Sequence, residues 1–142
     1  MPLLMDKCKK RLAIVWVTGA GVLFLVLVLQ SIFGRYGDKT NDAWAWLLPT
    51  IIPTLSLIVG VVASDALDKS VRAASVDVFM YRLALSLSVA YLVVVSLTIF
   101  LGPLSDWPQL ELMKLSNLWL APLQGIVAAA IGVFFVSKGP RK

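Results

Sequence analysis

LAIVWVTGAGVLFLVLVLQSIFG, residues 12–34, is a run of 23 positions without a charge, bracketed by Arg11 and Arg35. A helix of about 20 apolar residues crosses a bilayer core of about 30 Å. The same length recurs three times: 22 positions between Asp42 and Asp65, 23 between Arg82 and Asp106, and 23 between Lys114 and Lys138. All 21 charged residues therefore fall in the remaining 51 positions. The expectation is an all-α polytopic membrane protein, a single domain over residues 1–142 packed as a four-transmembrane-helix bundle. Its spans are expected at about 12–33, 43–64, 83–101 and 117–137.

Composition agrees. The chain is 59% hydrophobic and 15% charged, with no histidine, against roughly 45–50% and about 25% in soluble domains. A soluble enzyme, a nucleic-acid-binding domain and a disordered tail are excluded on these grounds. The net charge of +5 reads as a topology signal. With both termini and the middle loop on one side, lysines and arginines divide ten to three. The positive-inside rule then places both termini in the cytoplasm, at a plasma membrane taken to be a bacterial inner membrane. Trp44, Trp46, Trp107 and Trp119 fall at the expected outer interface, with Tyr36 nearby. Trp16, Phe79, Tyr81, Phe134 and Phe135 fall near the inner one, as amphipathic rings at headgroup level should. The first apolar run outlasts a signal peptide's core and is followed by no small-x-small site, so it reads as a retained anchor. Cys8 is the only cysteine; it reads as an inert juxtamembrane thiol, with acylation as the alternative.

The second span carries the most information. Pro49-Thr50-Ile51-Ile52-Pro53-Thr54 is a proline–threonine repeat. Pro49, Pro53, Ser56, Gly60 and Ala63 follow spacings of four, three, four and three, one helical stripe with Thr50 and Thr54 beside it. Interior prolines free backbone carbonyls and kink a helix. The expectation is a kinked, tightly packed span, with a water-lined pathway or hinge as the functional alternative. In the third span Ala84, Ser88, Tyr91, Val95, Thr98 and Gly102 form a second stripe, and Tyr91 needs a hydrogen-bond partner. In the fourth, Ala121, Gly125, Ala128 and Gly132 form a third, and Gly125–Ala129 is a small-xxx-small pair, the signature of a helix-contact face. Gln124 beside it either bonds across a helix or lines an outer vestibule. Pro49, Thr50, Pro53, Thr54, Ser56, Ser88, Tyr91, Thr98 and Gln124 are thus candidates for a pathway or hinge. Gly60, Ala63, Ala121, Gly125, Ala128, Ala129 and Gly132 are candidates for helix contacts.

Two further elements are expected outside the spans. Leu67, Val71, Ala74 and Val78 have amphipathic helical spacing, a cytoplasmic helix or an extension of span two. Ser75 is the expected N-cap of span three, with Asp77 as its first-turn acid. Asp106 and Pro108 open a short outer interfacial helix bearing Leu110, Met113 and Leu115.

No charged residue lies within any of the four windows, which weighs against proton-coupled transport. Small multidrug exporters share the span number but use a glutamate in span one, absent here. The arginine- and asparagine-bearing span motifs of fluoride channels are also missing. A lone cysteine excludes paired-thiol redox chemistry, and no histidine or thiolate cluster offers a metal site. The expectation is a non-enzyme without cofactor. Its partners are the lipid bilayer and further copies of itself, not nucleic acid. A homo-oligomeric channel with a neutral lining is the first reading. A membrane anchor recruiting a soluble protein at the basic cytoplasmic face is the second. A transport subunit for a neutral or lipid-like substrate is the third.

Overall fold

The computed structural model describes residues 4–67 and 76–136. Four helices carry these segments: α1 Met5–Ile32, α2 Thr40–Leu67, α3 Val78–Leu101 and α4 Gln109–Val136. No strand occurs among the described residues. With 24 to 28 residues each, the helices are about 36–42 Å long at 1.5 Å per residue, longer than the hydrocarbon core they must cross. The chain is a membrane protein with four helices long and apolar enough to span a bilayer.

The surface supports the same conclusion. Only 28% of the most apolar window of α1, α2 and α4 is buried, and 39% of that of α3. The outward remainder includes Leu25, Leu29, Phe33, Val93, Phe100 and Leu118. Exposed apolar area of this extent marks a surface covered by lipid or by other protein rather than by water.

The helices pack in the ring order α1, α2, α4, α3. Cross-links between elements set their directions. Lys9 pairs with Asp65 and Phe24 packs on Trp44, so α1 and α2 are antiparallel. Trp46 reaches Ser116 while Gln124 reaches Pro49, so α2 and α4 run parallel. Tyr81 packs on Phe134 and Gln109 reaches Thr98, so α3 and α4 are antiparallel. The start of α1 and the ends of α2 and α4 therefore share one end of the bundle. Lys9 joins them, with Nζ 2.6 Å from the Asp65 carboxylate and 5.6 Å from the Phe135 ring centroid.

Local chemistry sets the helix ends. α1 stops in a Schellman motif: the Gly34 N–H donates to the Ser31 carbonyl and the Arg35 N–H to the Gln30 carbonyl. Gly34 adopts φ +68°, which a side chain disfavours. α3 starts at Asp77, whose carboxylate accepts from the Phe79 N–H at 2.9 Å. Asp77 itself is thus the N-cap, where the sequence suggested a first-turn acid; Ser75 lies outside the described residues. At the other end of α3, the Gln109 amide donates to the carbonyls of Thr98 and Ile99. Its side chain fills the place where a Cβ on Gly102 would stand.

Some elements differ from expectation. Residues 109–115 do not form a separate short helix. They are the first turns of α4, because nothing between Leu110 and Asn117 interrupts helical hydrogen bonding. The basic cluster Lys7, Lys9, Lys10 and Arg11 lies within α1 rather than in a tail. α2 continues to Leu67, and α3 begins at Val78. The remainder of the expected cytoplasmic amphipathic segment, residues 68–75, lies outside the described residues.

Candidate functional site

The proline–threonine repeat sits at the centre of the bundle's polar contacts. α2 passes through Pro49 and Pro53 as one helix. Pro53 has no N–H, so the Pro49 carbonyl loses its helical donor. The side-chain amide of Gln124 supplies one from α4, at 3.0 Å from the Pro49 oxygen and 3.2 Å from that of Thr50. From the opposite side the Tyr91 hydroxyl donates to the Thr50 carbonyl at 2.7 Å. The Thr50 hydroxyl turns back to the Trp46 carbonyl at 2.6 Å, and the Trp46 indole N–H reaches the Ser116 hydroxyl at 3.0 Å. One short stretch of α2 is thereby joined to α3 and α4. Trp16 of α1 stacks on Tyr91, ring centroids 5.9 Å apart, and both are fully buried. The Trp16 indole N–H has no hydrogen-bond partner.

Adjacent positions of this repeat separate onto two faces. Thr50 and Thr54 point into the core. Pro49, Pro53 and Ser56 are exposed on the outside, followed on the same side by Gly60 and Ala63. On α3, Ser88, Tyr91 and Thr98 are buried, and the hydroxyls of Ser88 and Thr98 donate to the Ala84 and Val94 carbonyls one turn back. Gln124 is half-buried at the boundary between inside and outside. On α4, Ala121, Gly125 and Ala129 are exposed, and Ala128 and Gly132 are half-buried.

The outward stripes of α2 and α4 face the same side. Pro53, Thr54, Leu57, Ala121, Gln124, Gly125 and Ala128 line an open groove of about 340 Å³ between the two helices. A Cβ added at Gly60, Gly125 or Gly132 would meet nothing within 4 Å. Within one chain, then, these small residues bring no helix closer. By contrast, a Cβ at Gly19 would come within 2.8 Å of Leu92, so the glycine of α1 does serve close packing inside the bundle.

The interior holds no continuous polar channel among the described residues. Trp16, Tyr91, Phe134, Leu12, Leu23, Leu47 and Ile51 fill it. Three contacts had no sequence signal. The Lys9–Asp65 pair joins residues 56 apart, and the Trp46–Ser116 bond joins residues 70 apart. The Gln109 cap depends on a turn geometry that spacing does not encode. The Gln124 bridge had two readable cues: an amide in an apolar span that needs a partner, and the missing N–H of Pro53, which frees a carbonyl for a donor from another helix.

The chain matches no known protein family, no curated protein and no solved structure.

Proposed function

We propose that this protein is a homo-oligomeric component of a bacterial inner membrane, both termini cytoplasmic, whose copies meet through the small-residue face of α2 and α4. The observation that carries this reading is that face itself: Gly60, Gly125 and Gly132 have open space above them. Small residues on lipid-exposed helices bring no benefit until another backbone packs against them. Conduction belongs between copies rather than through one bundle, because a single interior is filled by large side chains. Pro49, Pro53, Ser56 and Gln124 supply a neutral surface for such a path, with carbonyl and amide groups in place of charges. In this reading the chain has no enzymatic role.

The test is reconstitution in lipid with mass measurement and an ion-flux assay. A defined oligomer that carries current is expected, and Gly125→Leu is expected to reduce its mass while leaving the monomer folded. A wild-type protein that stays monomeric in lipid and carries no current overturns the proposal. A second reading rests on exposed Lys7, Arg11 and Arg82 at the end shared with Lys9. There the chain anchors an acidic soluble partner, and a stoichiometric second protein on mild-detergent purification would favour it.

A further inference from the structure

The outer side of α1, away from the α2–α4 face, carries an open groove of about 440 Å³ lined by Val26, Leu29, Gln30, Phe33 and Arg35. Val26, Leu29, Gln30 and Phe33 recur at helical spacing, so they form one strip along the last two turns of α1. Leu29 and Phe33 are strongly exposed, Phe33 to 82%. The strip ends at a cation. The Schellman motif around Gly34 reverses the chain and hydrogen-bonds the Arg35 N–H to the Gln30 backbone carbonyl, and Arg35 lines the groove beside Gln30. Gln30 is itself positioned, its carbonyl oxygen accepting from the Tyr36 hydroxyl at 2.6 Å. Among the described residues its amide nitrogen has no hydrogen-bond partner.

Among the described residues the Arg35 guanidinium makes no ion pair or side-chain hydrogen bond, although Asp38 and Asp42 follow closely in sequence. An arginine left unpaired at the end of an apolar strip has a defined complement: an anion carried on a hydrocarbon chain. We infer that this groove binds an anionic phospholipid, with its phosphodiester on Arg35 and the Gln30 amide and an acyl chain along Val26, Leu29 and Phe33. Guanidinium binds phosphate oxygens through two parallel N–H donors, a geometry that lysine does not reproduce. The groove shares no lining residue with the groove between α2 and α4 on which the proposed oligomer face is built.

Native mass spectrometry of the full chain in detergent, titrated with phosphatidylglycerol or phosphatidylcholine, tests this. Wild type should retain one phosphatidylglycerol per chain in preference to phosphatidylcholine. Arg35→Gln should weaken that binding at least about tenfold, the scale of a lost charge-assisted hydrogen-bond pair. Arg35→Lys should fall between the two, and Arg82→Gln, at the opposite end of the bundle, should leave it unchanged. Circular dichroism and thermal melting of each variant confirm that the fold is retained. Unchanged phosphatidylglycerol retention in a folded Arg35→Gln protein overturns the assignment. So does displacement of the lipid by millimolar inorganic phosphate, which would show a bare anion site.

Discussion

Thr50 and Pro49 are neighbours in sequence and opposites in environment. Successive helical positions differ by about 100°, so when the threonine faces the core the preceding proline is turned towards lipid. The buried hydroxyls of Thr50, Ser88 and Thr98 all donate to a carbonyl one turn earlier. Such back-bonding satisfies a hydroxyl without requiring water or a second helix. Cys8 gives a prediction at this scale. Its side chain is 1% exposed, packed at the same end as Met5 and Leu12. Maleimide labelling should be slow in the lipid-embedded protein and rapid after unfolding in detergent and denaturant. Rapid labelling in lipid would show that the start of α1 opens, and would restore acylation of this thiol as a reading.

At the scale of the element, α2 depends on its neighbours for the hydrogen bond that Pro53 removes. Gln124→Leu should cost about 0.6 kcal/mol, the average for interhelical hydrogen bonds in membranes, and no more than about 1.7, read by unfolding in mixed micelles. The cause can be isolated. Pro53→Ala restores an N–H for the Pro49 carbonyl, so Gln124→Leu should cost less in that background. Equal costs in both backgrounds would mean that the amide contributes through Thr50 alone. α4 is different in kind: its Gly125 and Gly132 support nothing within one chain, so their substitution tests assembly rather than folding. The extension of α4 back to Gln109 has a local explanation. The Gln109 side chain caps the end of α3, and that contact fastens the α4 start directly to the neighbouring helix, leaving no room for a separate interfacial segment.

At the scale of the whole molecule, the ring order α1, α2, α4, α3 brings three helix ends together at Lys9. Its side chain is only 12% exposed, with Asp65 at 30%. An ammonium so placed is held by the carboxylate and by the face of Phe135. The same end carries most of the described basic residues, which the positive-inside rule assigns to the cytoplasm. A reporter enzyme active only in the cytoplasm, fused after Lys142, should therefore be active. Activity only of an exported reporter at that position would invert the orientation and place the Lys9 end outside. Tyr36 lies at the opposite end. Burial pushes its hydroxyl pKa up, with the Arg35 charge opposing, so it remains a neutral donor to Gln30 at physiological pH.

The number of helices long and apolar enough to cross a bilayer was legible in the order of residues alone, but their ends were not: α1 starts at Met5 and α4 at Gln109, well before the charge-free windows that announce them. Dehydrating a charge costs enough that a 22- or 23-residue gap between charges marks a span whatever surrounds it. The small-residue stripes were legible as stripes, and the need of Tyr91 for a partner was legible as a need. Their directions were not. A glycine or serine suits a packed interface and a lipid-facing surface almost equally by hydropathy, so periodicity cannot rotate a helix about its axis. Shape complementarity among four helices does that: Trp16 against Tyr91, Trp46 against Ser116 and Gln124 against the freed carbonyl of Pro49. Once those contacts form, the threonines are inside, the prolines and glycines of α2 and α4 are outside, and an open face remains on the bundle.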